Sequence, residues 1–223
     1  MSKLILIPTP IGNLGDITQR AVECIETVDI LLCEDTRRSL KLLNHLKIKK
    51  PLKSYHKFNE HSTVEKVINE IQSGLVVGLI SDAGTPSISD PGYLIVKICI
   101  DNNIEVECLP GPTALIPALA ISGLPSERFV FEGFLPVKKG RKTRLEELSN
   151  EKRTMIFYES PYKLYKTLQD FSNSFGPERE ISISKELTKI FESTSRGRIM
   201  DLMPEYENKK LKGEFVIVVK GLK

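Results

Sequence analysis

Short apolar runs alternate with amphipathic stretches through the first half of the chain, and that rhythm predicts most of its elements. Apolar runs at 4–7, 30–33, 75–80 and 104–109 read as strands, with a short extended piece near 52–56. Helical spacing of apolar positions covers about 17–28, 37–46, 62–73 and 91–102. Strands alternating with helices predict a mostly parallel sheet with helices on its faces. Leu109-Pro110-Gly111-Pro112 is a stiff break, and the segment to about Pro125 reads as a hinge region. Beyond it, runs at 129–134, 154–158, 180–184 and 213–219 predict further strands, separated by charged helices around 140–150, 161–173 and 198–207. The expected organisation is an N-terminal α/β domain over 1–112 and a C-terminal α/β domain over 113–223.

Composition narrows the class. A chain of 223 residues with 40% hydrophobic and 27% charged residues has the make-up of a globular protein with a real core. No apolar run approaches bilayer length, and Met1 to Pro8 is too short an apolar segment for a signal peptide, so a cytoplasmic protein is expected. Cys24, Cys33, Cys99 and Cys108 lie apart in apolar surroundings without metal spacing, which reads as buried free thiols and no metal site.

The net charge of +3 is mild but unevenly placed. Thr36 to Asn59 contains no acidic residue and eight basic ones: Arg37, Arg38, Lys41, Lys47, Lys49, Lys50, Lys53 and Lys57. Lys138, Lys139, Arg141, Lys142 and Arg144 form a second cluster. Each alone is an ordinary solvated surface. Two together, with Tyr55, His56 and Phe58 beside the first, leave solvated surface and RNA binding about equally supported.

Four loops carry candidate chemistry; in one, Pro110 to Ala114, two prolines stiffen the turn after a strand and Thr113 can cap the next helix, with Pro117 one turn in, or offer its hydroxyl to a ligand. Ser81 to Gly92 follows a buried strand and is rich in Gly, Ser and Pro, the make-up of a ligand loop at the carboxyl edge of a sheet. Asp90-Pro91 has the order of an N-cap and a first-turn proline, placing a helix start there. Thr9 to Thr18 follows the first strand; it lacks the G-x-G-x-x-G fingerprint, and no G-x-x-x-x-G-K-[ST] loop occurs anywhere, which excludes the common nucleotide motifs. Glu34-Asp35-Thr36-Arg37 sets acids beside a cation at the end of the second strand, where Asp35 or Thr36 equally serves as a helix cap.

Taken together, Thr9 to Thr18, Glu34 to Arg37, Ser54-Tyr55-His56, Asn59-Glu60, Ser81 to Gly92, Leu109 to Leu115 and Ser122 to Pro125 resemble the tetrapyrrole methylase superfamily. Phe131 to Pro136, Phe157 to Pro161, Lys185 to Lys189 and Lys212 to Val216 continue the likeness. Within the superfamily the chain resembles the ribosomal RNA small-subunit methyltransferase I family. That resemblance implies an α/β, tetrapyrrole methylase-like fold of two α/β domains, the N-terminal sheet mainly parallel and the C-terminal one mixed, with S-adenosylmethionine in the cleft between them. It implies a homodimer that methylates the ribose 2′-hydroxyl of a cytidine in the decoding region of 16S ribosomal RNA in the small subunit. The cofactor residues it implies are Pro10, Gly12, Asp82, Ala83, Gly84, Thr85, Thr113 and Ala114, with Tyr158, Leu187, Val216 and Ile217 from the second domain. Many members run on past the segment matching Glu214 to Gly221; ending at Lys223, this chain is expected to grip RNA with its own basic zones.

A ribose hydroxyl is a poor nucleophile, so a positioned base or cation is needed. Glu34 and Asp35 are the candidate bases, with Arg37 orienting a phosphate or the developing alkoxide, and Lys185 and Glu186 the second-domain candidates. A structural salt bridge explains Lys185-Glu186 nearly as well. The expected RNA contacts are Arg38, Lys41, Tyr55, His56, Asn59, Glu60, Lys138, Lys139 and Arg141. The competing readings are a same-fold methylase of a small tetrapyrrole-like substrate and a non-catalytic RNA-binding module.

Overall fold

The computed structural model describes residues 2–222, which divide into two compact units at the Thr113–Ala114 junction. The first contains β1 (Lys3–Leu6), α1 (Gln19–Thr27), β2 (Ile30–Cys33), α2 (Thr36–Leu46), β3 (Leu52–Ser54), α3 (Glu60–Gln72), β4 (Val76–Ile80), α4 (Tyr93–Asp101) and β5 (Glu105–Cys108). Every strand pairing is parallel, in the order β3-β2-β4-β1-β5. The chain moves one way from β1 to β3 and back from β3 to β5, so right-handed crossovers place helices on both faces. Strand alternation fits this: Leu4, Leu6, Leu32, Val77 and Leu79 pack with α3 and α4, whereas Ile5, Ile7, Leu31 and Cys33 pack with α1 and α2. Gly78 is required where the second layer is tightest, because a Cβ there would lie 2.7 Å from a Leu31 methyl.

The second unit contains α5 (Leu115–Ser122), β6 (Phe129–Phe134), α6 (Arg141–Leu148), β7 (Thr154–Glu159), α7 (Leu164–Phe175), β8 (Glu180–Lys185), β9 (Ser193–Arg198), α8 (Ile199–Leu202) and β10 (Phe215–Val219). Its sheet is mixed, in the order β6-β7-β10-β8-β9, with only β6 and β7 parallel. Met155, Phe157, Ile181, Ile183, Phe215, Ile217 and Val219 face the core built with α6, α7 and α8.

Several expectations are corrected. The helix that Thr113 was expected to cap within the hinge region is α5, but its N-cap is Ala114, one residue later, and the left-handed Gly123 ends it. The helix expected over 198–207 is a short α8 followed by a 3-10 turn that contains Pro204, which lacks an N–H to continue an α-helix. Strand β9 was not expected; its sequence, Ser-Thr-Ser-Arg-Gly-Arg, is that of a polar edge strand. Asp90 caps no helix: α4 starts at Tyr93 behind Gly92, whose φ of 149° suits only glycine.

Candidate active site

A parallel sheet places all its strand ends on one edge, and the first unit uses that edge. Thr9 and Gly84 exchange backbone hydrogen bonds, each 2.9 Å, joining the β1 and β4 loops. The Thr9 hydroxyl donates to the Ser81 carbonyl at 3.0 Å, and the Thr85 hydroxyl donates to the Pro112 carbonyl at 3.1 Å. Gly111 lies so close over Pro8 that a Cβ would stand 2.5 Å from the proline ring. These contacts gather Pro10, Asp82, Ala83, Gly84, Thr85 and Thr113 at one edge. Ala114 follows directly as the N-cap of α5, and Gly12 lies exposed in the β1 loop. The edge offers small residues and closely approached backbone, which fits a nucleoside-bearing cofactor held by main-chain groups.

The β2 loop joins the same edge through Asp82. Its carboxylate accepts the Asp35 backbone N–H at 3.2 Å and pairs with Arg38 at 3.2 Å. Asp35 caps α2 by accepting the Arg37 backbone N–H at 2.9 Å, and it also accepts both Nε and a terminal nitrogen of Arg37. The Arg37 hydrogen bonds hold the Asp35 carboxyl well below the usual carboxylate range. That makes Asp35 a cap and clamp with little proton affinity. Glu34 behaves oppositely: burial, and then the Asp82 charge, push it up.

Beside these loops, Glu34, Lys57, Glu60, Asp90 and Tyr93 line a cavity of about 350 Å³. Burial, with Glu34 and Asp82 nearby, pushes Asp90 up to about 7. In the sequence Asp90 has the position of a helix cap. The same Asp-Pro-Gly triplet marks a cavity wall once Gly92 rather than Asp90 takes the helix start.

The RNA candidates divide by what holds them. Tyr55 is 1% exposed within the core, so its ring is not a stacking surface, whereas Phe58 is 95% exposed. Asn59 shapes the loop, accepting the His56 N–H and donating to the Ser54 carbonyl; His56 Nδ1 accepts the Phe58 N–H. Glu60 lines the cavity. Within the first basic zone, Arg37, Arg38 and Lys53 pair with carboxylates and Lys50 donates to the Val28 carbonyl. Lys41, Lys47, Lys49 and Lys57 are exposed and form no ion pair among the described residues. In the second zone Arg141 is held by Asp170, Thr167 and the Pro136 carbonyl, and Arg144 by Glu132 and Glu147. Lys138 and Lys139 remain exposed.

In the second unit Tyr158 of β7 pairs with Val216 of β10, and Phe131 and Phe134 meet the Tyr158 ring edge-on. Leu187 is buried. Ile217 points to the opposite face, wholly inside the apolar core, so its side chain is closed to a ligand. Glu186 joins the end of β8 to the start of β10: its carboxylate accepts from Lys189 at 2.9 Å and from the Glu214 N–H at 3.0 Å. The Lys185-Glu186 pair thus reads structurally on its Glu186 side. Among the described residues no cluster of three metal-ligating side chains occurs, and no helix is long and apolar enough to cross a membrane.

Comparison with known proteins agrees with this architecture. The family described as Tetrapyrrole (Corrin/Porphyrin) Methylases matches residues 3–203. The chain is 44% identical to the Ribosomal RNA small subunit methyltransferase I of Thermotoga maritima, covering 99% of each chain. It is 47% identical to the protein of that name from Synechocystis, over 99% of this chain and 80% of the relative. The uroporphyrin-III C-methyl transferase of Thermus thermophilus, solved with S-adenyl homocysteine, superposes with a TM-score of 0.66 at 16% identity, covering 97% of this chain and 96% of that one. With a parallel sheet whose loops converge on one edge, and with relatives 44–47% identical over nearly the whole of this chain, the chain belongs to the ribosomal RNA small subunit methyltransferase I family of the tetrapyrrole methylases.

Proposed function

We propose that this protein is an S-adenosylmethionine-dependent methyltransferase of small-subunit ribosomal RNA, acting on the ribose 2′-hydroxyl of a cytidine in the decoding region. The observation that carries the reading is identity of 44% over 99% of both chains with a relative named for that RNA. The named cytidine and its 2′-hydroxyl rest on the residue-level resemblance, as do a homodimer and a cytoplasmic location.

The cofactor supplies an electrophilic methyl group on a sulfonium. The same-fold neighbour that holds S-adenyl homocysteine supports this assignment. In the first unit Pro10, Ala83, Gly84 and Thr85 would hold it, mostly through backbone, on loops that Thr9–Gly84 and Thr85–Pro112 hydrogen bonds keep rigid. Rigid loops matter because methyl transfer is an in-line displacement, for which orientation supplies much of the acceleration. Exposed Lys41, Lys47, Lys49 and Lys57 give the unit unneutralised cations for a phosphate backbone.

The test is mass spectrometry of nucleosides from small ribosomal subunits incubated with the protein and labelled S-adenosylmethionine. A single 2′-O-methylcytidine is expected, and unlabelled RNA would overturn the reading. A parallel incubation with a tetrapyrrole addresses the chemistry named in the superfamily's description; label there instead of in RNA would establish the small-substrate alternative.

A further inference from the structure

The strand-end edge of the first unit is divided in two. Towards β1 and β5 the loops close on one another through backbone hydrogen bonds. Towards β3 and β2, Glu34, Lys57, Glu60, Asp90 and Tyr93 line a cavity of about 350 Å³. That volume is within the ~300–1,000 Å³ usual for small-molecule sites. Tyr93 is 73% exposed and Phe58, next to Lys57, 95%. An exposed aromatic ring next to a cation is the usual platform for an unstacked nucleotide.

Asp35, Asp82 and Asp90, on the β2 and β4 loops of this edge, differ in what holds them. Asp35 is clamped by Arg37, and Asp82 is held by Arg38 and the Asp35 N–H. No donor meets the Asp90 carboxylate among the described residues. The loop that carries it is held in an unusual backbone conformation, with Ser87 and Ser89 at φ of 70° and 63°. Non-glycine residues keep such angles only where their surroundings impose them.

We propose that Asp90 is the catalytic base of this site, taking the proton of a nucleotide hydroxyl that enters the cavity. The O–H bond breaks towards the Asp90 carboxylate while the hydroxyl oxygen forms its bond to the methyl carbon. The carbon–sulfur bond breaks with its electron pair remaining on sulfur, leaving a neutral thioether and a protonated Asp90. The inference rests on the methyltransferase reading above and names a residue within it. A base works best when its proton affinity is near working pH, and the crowding of Asp90 supplies that. The charges acting on it are Glu34, just after β2, and Asp82 on its own loop; Lys57 and Glu60 from the β3–α3 segment and Tyr93 from α4 line the cavity with it. Arg38 and His56 act on Glu34 in turn.

The experiment compares wild type, Asp90→Asn and Glu34→Gln, with small ribosomal subunits and S-adenosylmethionine. Asp90→Asn is expected to lower the methyl-transfer rate at least ~100-fold, a typical loss for a general base, while calorimetry shows cofactor affinity within threefold of wild type. Wild-type kcat/KM should rise through an apparent pKa near 7, and Glu34→Gln should move that limb to lower pH by removing a neighbouring charge. In the cofactor-free protein, NMR titration of side-chain carboxyls should show one high-titrating signal that Asp90→Asn deletes. Retention of more than half the rate by Asp90→Asn, an unmoved limb in Glu34→Gln, or a rate loss matched by lost cofactor binding would overturn the assignment. If wild type itself leaves the RNA unmethylated, the failure belongs to the functional reading; the NMR titration then decides on Asp90 alone, an ordinary titration overturning it.

Discussion

Asp82 accepts the backbone N–H of Asp35 at 3.2 Å, fastening the loop after β4 to the end of β2. The two strands are neighbours in the sheet, so this bond sets how far apart their loops stand. The other oxygen of Asp82 meets Arg38, itself largely exposed, and that contact adds little stability on its own.

Asp82→Ala should therefore act through the lost backbone acceptor. A destabilisation of about 1–2 kcal/mol is expected by urea denaturation, the range for leaving a half-buried donor unpaired. Asp82→Asn keeps an acceptor and should recover most of that stability. Cofactor affinity should fall at least tenfold in the alanine variant and clearly less in the asparagine one. Equal affinities in both would show that the loop spacing set by this bond does not matter for binding.

Gly78 tests the packing beneath that edge. A Cβ there would meet Leu31 at 2.7 Å and Ile7 at 3.0 Å, both wholly buried branched side chains with little room to give. Gly78→Ala should cost about 1–3 kcal/mol, the usual range for overpacking a core. Thermal unfolding should drop by several degrees. Gly74→Ala is a useful contrast: nothing lies within 4 Å of that added Cβ, so only the strain of its φ of 114° should register.

Much of the fold was legible because its signals are local. Apolar runs marked the buried parallel strands, and Thr18 and Asp35 cap α1 and α2 as their residue types favour. Convergence of the β1, β4 and β5 loops followed from parallel order alone. What stayed illegible depended on partners distant in sequence. Nothing near Tyr55 says that its ring enters the core, and nothing near Arg141 announces Asp170 and Thr167. Asp90 was misread because a helix start and a cavity wall draw on the same residues, and only the φ of Gly92 separates them.

Charge counting in sequence treats all basic residues alike, and the structure separates them. Lys41, Lys47, Lys49 and Lys57 are exposed without carboxylate partners. Each one that touches phosphate should contribute about 0.7–0.9 to the slope of log K against log salt, and its alanine variant should lose that amount in filter binding. Arg141 should behave differently, since its side chain is 11% exposed against Asp170. Arg141→Ala should leave the salt slope unchanged and destabilise the protein by about 1.5–3 kcal/mol, the range for losing a hydrogen bond to a charged group, because it leaves Asp170, among the described residues, with only Lys166 at 3.8 Å. A changed slope with intact stability would reassign Arg141 to the RNA.

The crowding that raises Asp90 must also be visible in stability. Its folded value of about 7 stands above the unfolded value of about 3.9. Below pH 4 both states carry the proton and Asp90 is neutral to stability. Between pH 4 and 7 the folded state binds more protons than the unfolded one, so stability falls as pH rises through that window. Above pH 7 the carboxylate is charged in both states and the penalty is constant. Discounted for the solvent that reaches the group, the loss should be on the order of 2 kcal/mol. Asp90→Asn removes the charge and hence the penalty. The variant should match wild type in urea denaturation at pH 4 and exceed it at pH 8, while methylating poorly, as expected where a site's chemistry works against its stability. A difference in urea stability that stays the same from pH 4 to pH 8 would mean that the Asp90 carboxyl titrates as in the unfolded chain.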